Sequence, residues 1–590
     1  MENNKKVKGS LKTLRRLFSY CFGMNFLLVF IFFCLILAQI SRIASTVFFQ
    51  IIVDNYLTPL TQNYTDELYN TFLKTIFVLV IILFSGNLIT LLYKQLVAKI
   101  SIVITHRIRI ELFKKIQQLP ITYFDTHKHG DIMSTIINDI ENLKKFLING
   151  LPNFIMESVA SVCNITMMII LSWKLSLQMN IVFIGIFFVF NKVVKKSRLY
   201  FKEQQDKLGE LSGYLEEMFE GQKVIKVFNR EEKIITDFDS LNDSLFKSAK
   251  KANILSNLVP TILSDLSDVN FAIAVCIGLF FVIDGNITIG VALAFFQYAR
   301  SFIFPIINMS NRYNETIITL VSLDRIFKIL DEDSEIDKGK MLTMDKIKGH
   351  IEIKNVNFRY NDKKEILTNI NIDAVCGKKI ALIGATGAGK TTITSLINRF
   401  YEVSEGEILL DGTNIQDISK DILRQNIAVV LQDSNLFTGS ILENVRFGRL
   451  DATDDEVIKA LKMSNAYNFV EKLPDTYKTI ITDNGGNLSQ GEKQLLSIAR
   501  AMLSKSPILL LDEATSSIDT RTEKIIEDSL NKLMKNKTTF IVAHRLSTIR
   551  NSDIILVLEN GKIIEQGKHT ELLEQQGKYY QLYNGLLEIS

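Results

Sequence analysis

A glycine-rich run, Gly384-x-x-x-x-Gly389-Lys390-Thr391, lies between the apolar stretch KKIALI and the helix-forming TITSLINRF. Glycines at that spacing let successive backbone N–H groups curl around phosphate oxygens, and a helix starting there adds its positive end. Lys390 can reach the β and γ phosphates of a nucleoside triphosphate, and the Thr391 hydroxyl can hold Mg²⁺. Thr386, Gly387 and Thr392 belong to the same loop and helix start. Farther on, ILLLDE brings Asp512 and Glu513 to the end of a buried strand, Asp512 toward the metal and Glu513 toward an attacking water. An apolar run ending in Asp-Glu is a weak signal alone but a strong one downstream of such a loop. Together these residues can transfer a phosphoryl group from a nucleoside triphosphate to water.

The elements that must position them read as alternating strands and helices. HIEIKNVNFRY, KKIALIG, IAVVLQD, ILLLD and TTFIVAHR are strand candidates, separated by turns and helices from about residue 349 onward. The first 310 residues differ. They hold six apolar stretches near 25–53, 71–93, 151–172, 175–193, 264–283 and 287–307, each close to the ~20 residues a helix needs to cross a bilayer. The mixture shows in the composition: mean hydropathy is +0.17 and 47% of residues are hydrophobic, yet 22% are charged. A net charge of +4 gives no case for nucleic acid as a partner, and five scattered cysteines without a CxxC pair disfavour disulfides and zinc.

Orientation follows from the basic residues. The head NNKKVKGSLKTLRR is basic, 55–70 has no Lys or Arg, 94–150 is rich in them, and the pattern repeats around 194–252 and 284–286. Both termini are therefore expected in the cytoplasm, with the protein in the cytoplasmic membrane. Residues 9–20 read as an interfacial helix. The two long inner connections carry apolar residues at 3–4 spacing, which predicts helices running on below the membrane, with short turns near Tyr123–Asp125 and Glu220–Gln222 as pads for another domain. The expected division is 1–24 N-terminal helix, 25–324 membrane domain, 325–348 linker and 349–590 nucleotide-binding domain.

These motifs, followed by LSQGEKQ, SSID and IVAHRLST in order, resemble the ATP-binding-cassette family, and the likeness covers the whole chain. The resemblance implies further roles. Gln432 matches the Q-loop residue that senses γ-phosphate and metal. Ser489 and Gly491 match the phosphate-contacting signature residues, Asp519 the D-loop, His544 the switch histidine, and Tyr360 the aromatic that stacks on adenine. LPITYFDTHKHGDIMSTIINDI and GQKVIKVFNREEKI are similar to the coupling regions of exporter half-transporters, whose fold is a six-helix membrane domain followed by an α/β P-loop ATPase. In that group ATP lies between the P-loop of one cassette and the signature of another, which implies a dimer.

For cargo the sequence offers only intramembrane polar residues. Asp265, Asp268 and Asn270 enter the fifth apolar stretch, and Gln297 and Arg300 lie inside the sixth. At about 1.5 Å per residue from the turn at Asp284, Asp268 is roughly 24 Å deep and Arg300 ~20 Å. These residues are expected to face a central cavity, with Asp268 and Arg300 as partners. The alternative puts the aspartates below the bilayer on an extended helix. Export of amphipathic drugs is the first reading, flipping of lipids the second, and an ATP-gated channel or regulator the third.

LSQGE departs from the family's usual LSGGQ at Gln490 and Glu492. A carboxylate 5–6 Å from a phosphate repels it by about 3 kcal/mol before screening. Either Glu492 faces away, or this chain is the competent half of a heterodimer and its altered signature serves a second, degenerate site. The heterodimer is preferred and a homodimer left open; bilayer lipids and a hydrophobic small molecule complete the expected partners.

Overall fold

The structure, a computed structural model, describes residues 13, 15–337, 339, 347–360, 365–432, 434–482, 485–512, 519–543 and 546–589, with 179–198, 255–257, 259–260, 263, 266–267, 303, 306–307, 310–311, 313–314 and 586–589 described by secondary structure alone. The chain divides into two compact units, Met1–Gln117 with His129–Glu332, and Gln118–Lys128 with Asp333–Ser590.

The first unit is helical. Its long stretches are Asn25–Gln62, Asp66–Gln117, His129–Leu171, Trp173–Glu220, Glu231–Ile283 and Ile289–Asp331. By length and composition three of them, Asn25–Gln62, Asp66–Gln117 and His129–Leu171, can cross a membrane among the described residues, and Asp268–Ile283 is a shorter apolar helix. The 53 residues of Glu231–Ile283 rise about 80 Å, against a hydrocarbon core of ~30 Å. Most of that helix therefore extends past any bilayer, as the 3–4 spacing predicts. Large apolar side chains point outward from these helices: Phe26 is 85% exposed and Phe84 70%. Water would not tolerate such a surface, whereas lipid would.

Two features were not foreseen. π-helical turns at Val53–Leu57, Thr135–Asp139 and Phe146–Gly150 interrupt the helices. The first presents Asp54, whose carboxylate accepts from the Thr288 hydroxyl (2.6 Å) and the Gly290 amide (2.7 Å) and so caps Ile289–Asp331. A Cβ on Gly290 would lie 2.5 Å from Asp54 Cγ, so the close approach requires glycine there. The second π turn presents Asp139, 1% exposed, which accepts from the Ser322 hydroxyl and Arg325, both at 2.8 Å. The last helix also runs through Asp331, seven residues into the stretch expected as linker. SLDRIFKIL has apolar residues at helical spacing, and Leu323, Ile326, Phe327 and Ile329 are all buried.

The second unit is α/β. One sheet is antiparallel, in the order β2 (Leu367–Ala374), β1 (Ile351–Phe358), β4 (Glu405–Leu410), β5 (Thr413–Asn414). The other has the order β12 (Lys562–Gly567), β11 (Ile554–Glu559), β3 (Lys379–Ile383), β10 (Thr538–Val542), β9 (Ile508–Asp512), β6 (Ile427–Val430). From β11 to β6 the pairs are parallel. Their near-continuous apolar sequence is what burial on both faces demands. Ile380, Leu382, Leu510 and Phe540 join one core, while Ala381, Ile383, Leu509 and Ile541 join the other. Each of the five strand candidates became a strand.

Candidate active site

A parallel sheet gathers the ends of its strands, and ligands bind beyond the carboxyl edge. Here the glycine loop follows β3, Gln432 follows β6, and Asp512 ends β9. Val542 of β10 pairs with Leu382 on one side and Asp512 on the other, so the loop and the acid stand two strands apart at one level. That separation is about 10 Å between backbones, room for phosphates and little more.

The loop itself needs its glycines. Gly384 has φ +151° and a Cβ there would lie 2.2 Å from the Leu558 carbonyl oxygen. Gly389 has φ +101°, caps the helix Lys390–Ile397, and a Cβ would meet Leu367 Cδ2 at 2.5 Å. Lys390 is buried and its ammonium donates to the carbonyls of Gly384 (2.7 Å) and Ala385 (3.0 Å). Burial lowers its pKa, and the charge of Asp512 opposes that shift. The cavity in front measures about 500 Å³ and is lined by Tyr360, Thr386, Gly387, Gly389, Lys390, Thr391, Thr392, Gln432 and Asp512, with Ile366 and Val542. A cradle with no room for Cβ atoms, a buried cation and a carboxylate fits a triphosphate with a divalent ion. Tyr360 stands at its rim, half exposed, with its hydroxyl 3.1 Å from Thr392 Oγ1.

Two expected catalytic residues, Glu513 and His544, lie outside the described residues; they directly follow Asp512 of β9 and Ala543 after β10. Asp519 is described and caps the helix Thr520–Met534, accepting from the amides of Arg521 (3.1 Å) and Thr522 (3.0 Å). Its hydrogen bonds with Thr522 hold its carboxyl below the usual range.

Glu492 now has a local cause. Ser489 caps the helix Gln490–Leu503, and Glu492 Oε2 accepts from both the amide and the hydroxyl of Ser489 at 2.8 Å. This capping box satisfies donors that a helix start otherwise leaves unpaired, and a helix start favours an acid. The carboxylate is thus turned back onto the residue expected to touch phosphate. Ser489 and Gly491 do not line the cavity described above.

Sequence reasoning missed a polar junction in the same unit. The short helix Ile121–Thr126, at the first expected pad, carries Asp125, which accepts a hydrogen bond from the Tyr401 hydroxyl. The Tyr401 ring stands edge-on to Tyr360 at 4.9 Å. Beside it, Glu335 accepts from Arg424 Nη2 (2.6 Å) and Nη1 (2.9 Å) and from Lys420 (3.1 Å), while its amide donates to Gln118 O (2.7 Å). The Arg424 hydrogen bond is the largest cause that holds the Glu335 carboxyl below its ordinary value of 4.5. Only the charges in SEIDKGK hinted at this.

A carboxylate held low contributes stability that is complete above its unfolded pKa and fades as pH falls through the folded one. Glu335→Gln is therefore expected to unfold more easily at pH 7 by roughly 1–3 kcal/mol. The gap from the parent should close below about pH 4.5 in urea titrations. A gap that ignores pH would mean that the charge of Glu335 contributes nothing.

The expected substrate-path residues do not pair as anticipated. Arg300 and Gln297 are exposed, and the Arg300 guanidinium lies 5.9 Å from the centre of the Phe271 ring. Among the described residues Asp268 and Arg300 share no ion pair; Asp268 is exposed, whereas Asn270 is 1% exposed with its Oδ1 unpartnered. Flat aromatic faces attract guanidinium groups, which accounts for the choice of Phe271.

The chain's likeness to known proteins is broad. The family described as ABC transporter transmembrane region matches residues 28–306, and the one described as ABC transporter matches 367–516. An uncharacterized ABC transporter ATP-binding protein, YfiC of Bacillus subtilis, is 37% identical over 99% of this chain and 96% of its own. A fatty acid ABC transporter ATP-binding/permease protein of Mycobacterium bovis is 37% identical over 81% of this chain and 75% of its own. A putative multidrug export ATP-binding/permease protein of Staphylococcus aureus is 37% identical over 82% and 84%.

Proposed function

This chain belongs to the ABC transporter family, and on that premise we propose that it is one half of a dimeric exporter of amphipathic small molecules, drugs or lipids, across the cytoplasmic membrane. As a member of that family it binds ATP and hydrolyses it to drive transport. The observation that carries the dimer is the incomplete site: the cavity holds the loop, Tyr360, Gln432 and Asp512, and lacks Ser489 and Gly491 of the same chain. A second cassette would supply them.

In this reading the loop amides and Lys390 grip the phosphates, and Tyr360 packs on the adenine. Thr391, Gln432 and Asp512 would hold Mg²⁺, which neutralises charge on the β and γ oxygens when bound. Glu513 accepts the proton of the attacking water, and His544 holds the γ-phosphate. Asp519 lies beside the opposing site. Closure of two cassettes would move the pads, including Asp125 against Tyr401, and turn the membrane half outward.

The relatives' printed cargoes, fatty acids and multiple drugs, share an apolar body and a polar end, and this supports an amphipathic cargo. Lipid flipping is the second reading. The acid after β9 and the histidine after β10 both argue against a mere ATP-gated channel. The departure of Gln490 and Glu492 from LSGGQ supports a heterodimer in which this chain's signature faces the weaker site. Affinity purification from native membranes tests the assignment. The expected product is a two-cassette complex whose second subunit has an LSGGQ-type signature and no acid equivalent to Glu513. A homodimer with robust ATPase activity overturns the heterodimer; an active monomer overturns both.

A further inference from the structure

The helical unit holds a cavity of its own. It measures about 220 Å³, and its walls include Leu17 and Cys21 near the N-terminus, Leu35, Ile100, Leu147 and Ile155. Roughly seven liquid-water volumes would fit, enough for part of an alkyl chain.

The walls reject water. The hydroxyl of Ser101, which also lines the cavity, is buried and donates to the Val97 carbonyl at 2.7 Å, so it has no proton left for a ligand. A polar molecule entering would lose hydration without recovering hydrogen bonds, whereas hydrocarbon would lose nothing. The surroundings supply hydrocarbon: Phe18, in the wall, is 52% exposed, and Phe22 and Phe26 nearby are 80% and 85% exposed.

Charge selects the other end of the occupant. Arg107, one turn past the cavity residue Ile104, is exposed and donates to the carbonyl of Tyr20 at 3.4 Å, beside Cys21. Arg15, two residues before Leu17, is exposed as well. Of the carboxylates nearby, Asp331 pairs with Arg16 at 2.6 Å, and Glu111, which accepts from Tyr20 and keeps its charge, offsets one of the two remaining guanidinium groups, leaving the patch net positive. Arg107 thus stands beside the Tyr20–Cys21 wall of a dry cavity on a lipid-facing surface, and Arg15 lies one helical turn before the wall residue Phe18.

We propose that the cavity seats an acyl chain of an anionic phospholipid from the bilayer, with its headgroup phosphate held by Arg107 and Arg15. This is a resident lipid, independent of the exported cargo.

The test reconstitutes the full chain, in the dimer it purifies as, into phosphatidylcholine vesicles. These carry a trace of phosphatidylglycerol or phosphatidylcholine bearing a photoreactive diazirine on one acyl chain. After irradiation, labelled peptides are mapped by mass spectrometry. The phosphatidylglycerol probe should label the wall peptides around Ile100 and Leu147 about fivefold or more above the phosphatidylcholine probe. Ile100→Trp, which places an indole in the cavity and narrows it, should strongly reduce wall labelling and leave labelling at the outward Phe84. Arg15→Glu with Arg107→Glu changes only exposed positions and should abolish the headgroup preference. That arm is readable even if Ile100→Trp fails to assemble. Equal labelling by the two probes in the parent overturns the headgroup assignment. Unchanged wall labelling in Ile100→Trp, or wall peptides cross-linked to the partner subunit instead, overturns the cavity assignment.

Discussion

Replacing Glu513 with glutamine is expected to leave ATP binding intact and to slow hydrolysis by roughly two to four orders of magnitude. The amide keeps the size and polarity of the carboxylate and loses only its ability to take a proton from water. The strand that delivers it is fixed from both sides. β9 lies between β10 and β6, and Asp512 is registered against Val542. Asp512, at the carboxyl end of that strand, lines the phosphate cavity, and Glu513 is the next residue in sequence. Nucleotide binding and phosphate release, measured on the same purified complex, separate the two effects. Wild-type phosphate release from that variant would remove Glu513 from the chemistry.

Lys390→Met should act at the earlier step. Lys390 is 7% exposed and its ammonium touches two loop carbonyls, a position from which it can turn to phosphate oxygens. A hydrogen bond between charged groups is worth about 1.5–3 kcal/mol, so losing those to the β and γ phosphates should weaken ATP binding by a hundredfold or more. Methionine has similar length and no charge to bury, and the chain should remain folded. Equilibrium binding of a fluorescent ATP analogue, with urea unfolding as the control, reads both. Binding within a fewfold of the parent would contradict the role given to Lys390.

The two predictions draw on what was legible in the chain. The glycine spacing, the apolar run before Asp512 and the strand candidates are local signals, and each reports a local cause: a φ that only glycine adopts freely, or a strand buried on both faces. Helix continuation in the long inner connections was legible for the same reason, since apolar residues at 3–4 spacing must share a face. Contacts between residues far apart in sequence were not. The charges around Glu335 do not say which partner they take, and Asp125 and Tyr401 are joined only after the chain has folded. π-helical turns also leave no periodic trace. The pairing expected for Asp268 and Arg300 was inferred from depth alone, which ignores the direction each side chain takes; Arg300 went to Phe271. Glu492 is the reverse case. Its Ser-x-x-Glu spacing is that of a capping box, a local helix-start signal present in the sequence itself.

Hydrolysis at this site, we propose, drives an amphipathic molecule across a membrane. Inside-out vesicles carrying the purified complex, given ATP and a panel of fluorescent amphipathic dyes and lipids, test it most directly. Accumulation of at least one of them should require ATP and disappear in the Glu513→Gln complex, although that complex still binds ATP. Accumulation that continues undiminished in Glu513→Gln would contradict the account.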